Sequence, residues 1–280
     1  MKLIKSFFTL FLTMILCAHL EAQVLTHTLS PLEKYDLQML RWGGFAPLTT
    51  FHDQKDYQTI LSQGRLANGH LWPIPIVLTL TEQEKILAEE EKKIVLMDDD
   101  RTILATMDVK DLYRPDVEAE CLAVFGTCDD NHPFIQTVLD RKDNWYVSGN
   151  LKFEKELNLP KECIPPQQIR KKIEKNGWDK VVGFQTRNPL HRSHFELTLS
   201  ALRQVEGGIL LLTPVIGPTQ PGDVDAATRI KCYRALLKYY PENQVEFCLI
   251  PLAMRMAGPK EALMHAIIRK NYGCTHFIIG

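Results

Sequence analysis

The spacing of hydrophobic residues changes along the chain, with the change near Gly177. Before that point, apolar runs rich in β-branched residues have the length of strands, at Ile74–Leu80, Lys93–Met97 and Ile103–Val109. Ser30-Pro31-Leu32-Glu33 predicts a helix start, because serine caps, proline fits the first turn and glutamate completes a capping box. These patterns predict a β-rich N-terminal part, folded as a small barrel.

After Gly177, apolar strand-length runs alternate with helical patterns. Strand–helix alternation at this spacing is typical of a parallel sheet with right-handed crossovers. Ligands bind such sheets outside the carboxyl ends of the strands, so functional loops are expected to follow strands. The predicted strands are Lys180–Phe184, Gly208–Thr213, Val245–Pro251 and Thr275–Ile279, and the predicted helices are His191–Arg203, Val224–Tyr240 and Pro259–Lys270.

A proline-rich segment separates the two patterns. Leu159–Pro166 holds three prolines in eight residues, which marks a domain boundary. A basic helix, Gln167–Asn176, follows and ends at Gly177, and its lysines and arginines are expected to form a solvated face. The predicted organisation is a leader over 1–22, a β-rich domain over 23–166 and an α/β domain over 167–280.

The leader resembles a secretory signal. Lys2 and Lys5 come before an apolar run, Phe7–Ala18. Signal-peptide cleavage after Ala22 would follow a small residue. The alternative is an N-terminal segment that packs on the protein. The run is shorter than the ~20 residues that span a bilayer, and no second long apolar segment exists, so no membrane span is predicted.

Composition excludes several function classes. Thirty-three Lys+Arg against thirty-four Asp+Glu give a net charge of −1, which leaves no global excess to bind nucleic acid or an anionic membrane. Any anion must therefore be held by a local site. The seven cysteines contain no Cys-x-x-Cys pair and are expected to be buried thiols, with three disulfides as the alternative once Cys17 is removed. Asp98–Asp100 is expected to be a solvated turn rather than a metal site.

The loop after the first strand of the α/β part is rich in groups that bind anions. His191 and His194 are three residues apart at a predicted helix start, where backbone N–H groups attract phosphate. No acidic residue lies between Gln185 and His194. Zinc would need a third ligand, and Glu196 does not have metalloprotease spacing; paired surface histidines are the plainer alternative. Further donors in this loop are Gln185, Thr186, Arg187, Asn188 and Arg192.

This loop, Gln185-Thr186-Arg187-Asn188-Pro189-Leu190-His191-Arg192-Ser193-His194, resembles the signature of the ATP sulfurylase (sulfate adenylyltransferase) family. The resemblance covers Leu29–Gly280, and further motifs occur in the family's order. They are Trp42–Leu48, Leu71–Ile76, Gln220–Asp225, Pro251–Gly258 and His265–Gly273.

The resemblance implies an α/β protein: a β-barrel-like, PUA-like N-terminal domain, then a Rossmann-like parallel-sheet nucleotidylyl-transferase domain. Family members continue past Gly280 with Gly-Arg-Asp-His, so the catalytic domain is expected to be incomplete at its C-terminus. The implied reaction transfers AMP from MgATP to sulfate and gives adenylyl sulfate and pyrophosphate. Mg²⁺ would arrive with ATP, without a tightly bound cofactor. A homo-oligomer and a cytoplasmic or organellar location also follow, although the leader leaves export open.

The resemblance also implies residue roles, and the chemistry agrees with them. Sulfate is a weak nucleophile, so a protein must position it and neutralise charge between two anions, without a covalent residue. Alternatives are a non-catalytic anion- or nucleotide-binding remnant and a nucleotidylyl-transferase with another acceptor. The implied sulfate ligands are Gln185 and Arg187; the catalytic residues are Thr186, Arg187, Asn188, His191 and His194; the ATP-binding residues are Gln185, Thr186, Arg187, Asn188 and Gly280. No residue is predicted to bind a metal.

Overall fold

A computed structural model of the chain describes residues 24–218 and 222–279. The predicted leader, 1–22, and the predicted ATP ligand Gly280 lie outside the described residues. Gln220 and Pro221 of one family-like motif also lie outside them.

The N-terminal part contains a five-stranded sheet in the order β1-β3-β4-β5-β2. The β1–β3 pair is parallel and the other pairs are antiparallel. The predicted strand over 74–80 is confirmed only at its end, because Pro75 has no N–H to give to a ladder. The strands are β1 (Leu25–Thr28), β2 (Leu78–Leu80), β3 (Lys93–Met97), β4 (Ile103–Tyr113) and β5 (Trp145–Phe153).

Five helices pack around this sheet, and the first begins as predicted. The backbone N–H of Ser30 donates to Glu33 Oε2 at 2.9 Å, and the Glu33 N–H donates to Ser30 Oγ at 3.3 Å, which completes the capping box. The helices are α1 (Pro31–Trp42), α2 (Gln54–Gln63), α3 (Glu82–Glu91), α4 (Val117–Phe125) and α5 (Ile135–Leu139).

The Asp98–Asp100 segment forms the predicted turn, but two of its carboxylates are paired. Lys34 Nζ lies 2.6 Å from both Asp98 Oδ1 and Asp99 Oδ2. The expectation of a solvated turn is therefore correct for Asp100 and incomplete for its neighbours, since Lys34 reaches them from α1.

The C-terminal part is a parallel four-stranded sheet in the order β8-β7-β6-β9. Every predicted element is present, but β8 and β9 are shorter than predicted. Past β8, Ile250 meets Val215 only in an isolated bridge, since Pro214 and Pro251 lack an N–H. The elements are α6 (Pro166–Asn176), β6 (Val181–Phe184), α7 (Arg192–Gln204), β7 (Ile209–Leu212), α8 (Ala226–Leu237), β8 (Val245–Phe247), α9 (Gly258–Asn271) and β9 (His276–Phe277).

The strand order places a topological switch beside β6. The chain proceeds from β6 outward to β7 and β8, then returns to β9 on the other side of β6. At such a point the loops leave neighbouring strands in opposite directions and open a crevice at the carboxyl ends. The loop after β6 lies at this crevice.

The two sheets share one core and direct polar contacts. A continuous cluster of buried apolar side chains contains residues of both parts. The Arg255 guanidinium lies 2.5 Å from the Asp36 carboxylate of α1, and both are buried. Asn271 Nδ2 donates to the carbonyls of Gly44 and Ala46 at 3.0 and 2.8 Å. The two parts are thus fixed against each other.

No helix among the described residues is both long enough and apolar enough to cross a membrane. The six described cysteines are free thiols. Cys121 and Cys248 are buried as expected, whereas Cys128 and Cys232 are exposed, contrary to that expectation.

Candidate anion site at the end of strand β6

The loop Gln185–His191 is positioned by β6, whose four residues are all buried. Thr186 is also buried and fixes the turn, because its Oγ1 accepts the Asn188 N–H at 3.1 Å. Asn188 is exposed. The strand thus provides a rigid base, and the side chains beyond it lie at the carboxyl edge of the sheet.

Three successive carbonyl oxygens of the loop are bound by groups from outside it. Polar backbone atoms that leave a strand must find new partners. The donors come from the chain after β7 and from α8: Val215 N–H to Thr186 O at 3.0 Å, Arg229 Nη1 to Arg187 O at 2.7 Å, and Tyr233 Oη to Asn188 O at 2.9 Å.

Arg187 is held by an ion pair. Its Nη1 lies 2.9 Å from Asp223 Oδ2, and its side chain is 25% exposed. A small cavity of about 20 Å³ adjoins this pair and is also lined by Arg229. That volume admits one water molecule. The guanidinium is thus pre-oriented at the edge of the protein.

The two histidines lie together at the start of α7. His194 Nδ1 accepts the backbone N–H of His191 at 3.1 Å, and the ring centroids are 5.6 Å apart. The His194 ring also lies near Phe184. Arg192, by contrast, has a 92% exposed side chain, which lies 3.8 Å from Glu196. The structure thus places residues 185–188 at the carboxyl end of β6 and pairs His191 with His194 at the start of α7, while Arg192 faces solvent.

A cavity of about 300 Å³ lies at the carboxyl ends of the paired strands β6 and β9, against the start of α9. Its walls are largely apolar, with Gln185, Glu261 and His265 as polar groups. Gln185 Nε2 lies 3.6 Å from Met254 Sδ. Other lining residues are Met256, Phe277 and Ile278.

The sequence analysis placed His265 in a family-like motif but gave it no role in the site, because a single histidine on a helix does not by itself indicate a ligand. His265 is buried, and its Nδ1 accepts a hydrogen bond from Arg269 Nη1 at 2.7 Å. Burial, then the charges of Arg269 and Arg255, hold the pKa of His265 well below its usual value. The ring is therefore neutral, with its proton on Nε2.

The donor set fits an anion. The loop offers amide, hydroxyl, guanidinium and imidazole groups, all of which can donate to phosphate or sulfate oxygens. Within residues 24–218 and 222–279, no group of three His, Cys, Asp or Glu side chains could hold a metal ion. Mg²⁺ prefers carboxylate oxygens and water, so this donor set does not fit a resident magnesium ion.

Fold and site together define an α/β protein with a parallel sheet, a loop rich in anion-binding groups at its switch point and a separate β-rich sheet. Residues 161–280 match the ATP-sulfurylase family profile, and residues 16–156 match a PUA-like domain. The chain belongs to the ATP-sulfurylase family.

Curated relatives agree with this assignment. The sulfate adenylyltransferase of Schizosaccharomyces pombe is 44% identical over 250 residues, which are 88% of this chain and 51% of that protein. Those of Gibberella zeae and Saccharomyces cerevisiae are 44% and 40% identical, over 90% and 92% of this chain and 45% and 51% of theirs. The chain thus spans about half the length of the curated relatives it matches.

One solved structure has the same fold. A hexameric APS kinase from Thiobacillus denitrificans aligns with a TM-score of 0.73 over 94% of this chain and 49% of that one, at 22% identity. The expected order, a PUA-like β-rich part followed by a nucleotidylyl-transferase-like α/β part, is confirmed. The boundary at 166/167 and the roles of individual residues stay predictions.

Proposed function

We propose that this chain carries the adenylylating site of a sulfate adenylyltransferase, which transfers AMP from MgATP to sulfate. The observation that supports this most is the Gln185–His194 loop at the switch point of the parallel sheet. A sulfate oxygen attacks the α-phosphorus of ATP. The bond between the α-phosphorus and the oxygen that bridges it to the β-phosphorus breaks, and pyrophosphate leaves. No proton or redox change is needed, so positioning and charge stabilisation supply the catalysis.

Gln185 and Arg187 bind sulfate in this proposal. A planar guanidinium can give two parallel hydrogen bonds to a tetrahedral dianion. Asp223 supports this role, because its contact with Arg187 Nη1 at 2.9 Å limits how the guanidinium can turn. The Gln185 amide, two positions before Arg187, lines the 300 Å³ cavity, whose size and largely apolar walls suit the nucleoside part of ATP.

Thr186, Asn188, His191 and His194 act on the phosphates. The histidines lie at the N-terminus of α7, where the first N–H groups carry partial positive charge. In this position they hold the β- and γ-phosphates and stabilise the charge that grows on pyrophosphate. Gly280 keeps its predicted role in binding ATP.

Mg²⁺ enters as part of the MgATP substrate. A protein that consumes ATP is expected in the cytoplasm or an organelle, so the signal-like segment 1–22 stays a prediction in tension with this chemistry. A homo-oligomer stays a proposal too.

The test is the reverse reaction, ATP formation from adenylyl sulfate and pyrophosphate by the purified chain. Arg187→Ala should lower the rate at least about 100-fold, as loss of one charge-stabilising donor commonly does. Arg192→Ala is the matched control, because this neighbouring arginine is 92% exposed, and its rate should stay within about twofold.

Three results would contradict the proposal. A folded wild-type chain that forms no ATP would favour the non-catalytic remnant. Equal rates for the two arginine variants would exclude Arg187 from the site. Activity in the forward direction with another anion, and not with sulfate, would instead indicate a different acceptor.

A further inference from the structure

We propose that Arg229 and Tyr233 of α8 are positioning residues for the anion loop, and that Arg229 also supplies its buried positive charge. This inference rests on the proposed function. Nothing in the sequence of the loop points to either residue, because they lie 42 and 45 residues beyond their partners.

The first argument is geometric. Arg229 Nη1 donates to the Arg187 carbonyl at 2.7 Å, and Tyr233 Oη donates to the Asn188 carbonyl at 2.9 Å. The two residues are four apart on one helix, so they project from the same face. Two consecutive carbonyls of the loop are therefore bound by one rigid element.

The second argument concerns what an anion site must exclude. A carbonyl oxygen carries partial negative charge and repels sulfate or phosphate. In this loop the carbonyls of Thr186, Arg187 and Asn188 all accept hydrogen bonds from other segments. These three carbonyl oxygens are therefore occupied by protein donors. The loop keeps its hydrogen-bond donors for a bound anion.

The third argument is the charge of Arg229 itself. Its side chain is only 3% exposed, and its Nε and Nη2 have no hydrogen-bond partner. Among the described residues it forms no ion pair with a carboxylate, although Asp223, which pairs with Arg187, lines the same small cavity. A buried, unneutralised guanidinium is unfavourable unless an anion comes close. Arg229 lines the same small cavity as Arg187, so its charge acts at the anion site.

The start of α8 is also well fixed, which makes it a suitable support. Asp225 caps the helix, because its Oδ1 accepts the Thr228 N–H at 2.9 Å. Tyr233 is fully buried. The helix therefore provides a fixed support for the hydrogen bonds of Arg229 and Tyr233 to the loop.

Hydrogen exchange of the loop tests the positioning role without relying on activity. Tyr233→Phe should speed amide exchange in a peptide covering 185–191 about fivefold to tenfold, the scale of one lost hydrogen bond. Tyr240→Phe is the matched control, because its hydroxyl makes a buried 2.9 Å bond to Thr198, away from the loop. Equal exchange in both variants would overturn the positioning role.

Turnover gives a second readout. Tyr233→Phe should lower kcat for ATP formation about tenfold, while Tyr240→Phe should leave it within about twofold, at similar losses of Tm. Equal kcat values would overturn the effect on catalysis.

Sulfate binding tests the charge. The rise in Tm that sulfate causes should be lost in Arg229→Gln and partly kept in Arg229→Lys, which retains the positive charge. A full rise in Arg229→Gln would overturn the role of the charge. Should Arg229→Gln fail to fold, the lysine variant decides, because its sulfate response must then lie between wild type and none. A wild-type chain without a sulfate response or activity would contradict the proposed function, while loop exchange would still decide the positioning role.

Discussion

At the scale of single residues, two side chains of the same type can differ in role because their surroundings differ. Arg187 and Arg192 lie five positions apart in one motif, yet one is held by Asp223 and the other is 92% exposed. His27 shows the same principle in the β-rich part. Burial disfavours its charged form, but a 2.8 Å hydrogen bond to the Glu84 carboxylate and the Glu33 carboxylate 3.8 Å away outweigh burial and raise the pKa of His27 to about 9. The imidazolium is thus part of the folded state at neutral pH.

A pH-dependent stability follows from His27. Its folded-state pKa is raised, so its contribution is complete below about pH 6.5 and is lost as pH rises through about 9. Tm should therefore fall between these values, and His27→Gln should flatten this part of the curve and cost about 1.5–3 kcal/mol at pH 6. His70→Gln, at an exposed histidine, serves as the control. An unchanged slope in His27→Gln would contradict the assignment.

At the scale of elements, the walls of the site depend on close backbone contact. The segment after β7 runs against the segment after β8, and Gly217 N–H donates to the Leu252 carbonyl at 3.1 Å. A Cβ atom at Gly217 would lie 2.1 Å from that carbonyl oxygen. Only glycine permits this approach, beside the small cavity that Arg187 and Arg229 line.

Gly217→Ala should therefore damage both stability and activity. Forced separation of two packed backbone segments is expected to cost about 1–3 kcal/mol in the free energy of unfolding, measured by urea denaturation. Gly207→Ala is the comparison, since its Cβ would meet open space and only its positive φ of 72° is unfavourable. We expect ATP formation to fall in Gly217→Ala alone; equal losses in both variants would argue against a role for this contact in the site.

At the scale of the whole molecule, several family-like motifs serve the contact between the two sheets. The Trp42–Leu48 and His265–Gly273 motifs meet where Asn271 donates to Gly44 and Ala46. The Pro251–Gly258 motif reaches α1 through the Arg255–Asp36 pair. A sequence motif that is similar to a family's motif can therefore serve the packing of the fold rather than substrate binding.

Asp36→Asn tests how strongly the two sheets depend on each other. The substitution leaves the buried Arg255 charge without its partner, which is expected to lower the free energy of unfolding by about 3–5 kcal/mol. Glu156→Gln removes an exposed pair with Arg41 and should cost less than about 1 kcal/mol. Denaturant unfolding of both variants provides the comparison, and similar losses would show that the buried pair does not stabilise the interface.

The sequence by itself determined what depends on neighbours along the chain. Helix starts such as Ser30, the strand–helix alternation after Gly177 and the donor-rich loop 185–194 follow from residues a few positions apart. The tertiary structure alone decided the pairing of Asp98 and Asp99 with Lys34 and the burial of His265 beside the 300 Å³ cavity. It also selected Arg229 and Tyr233, because a buried carbonyl takes whichever donor the fold brings close, and no local pattern records a partner more than 40 residues away.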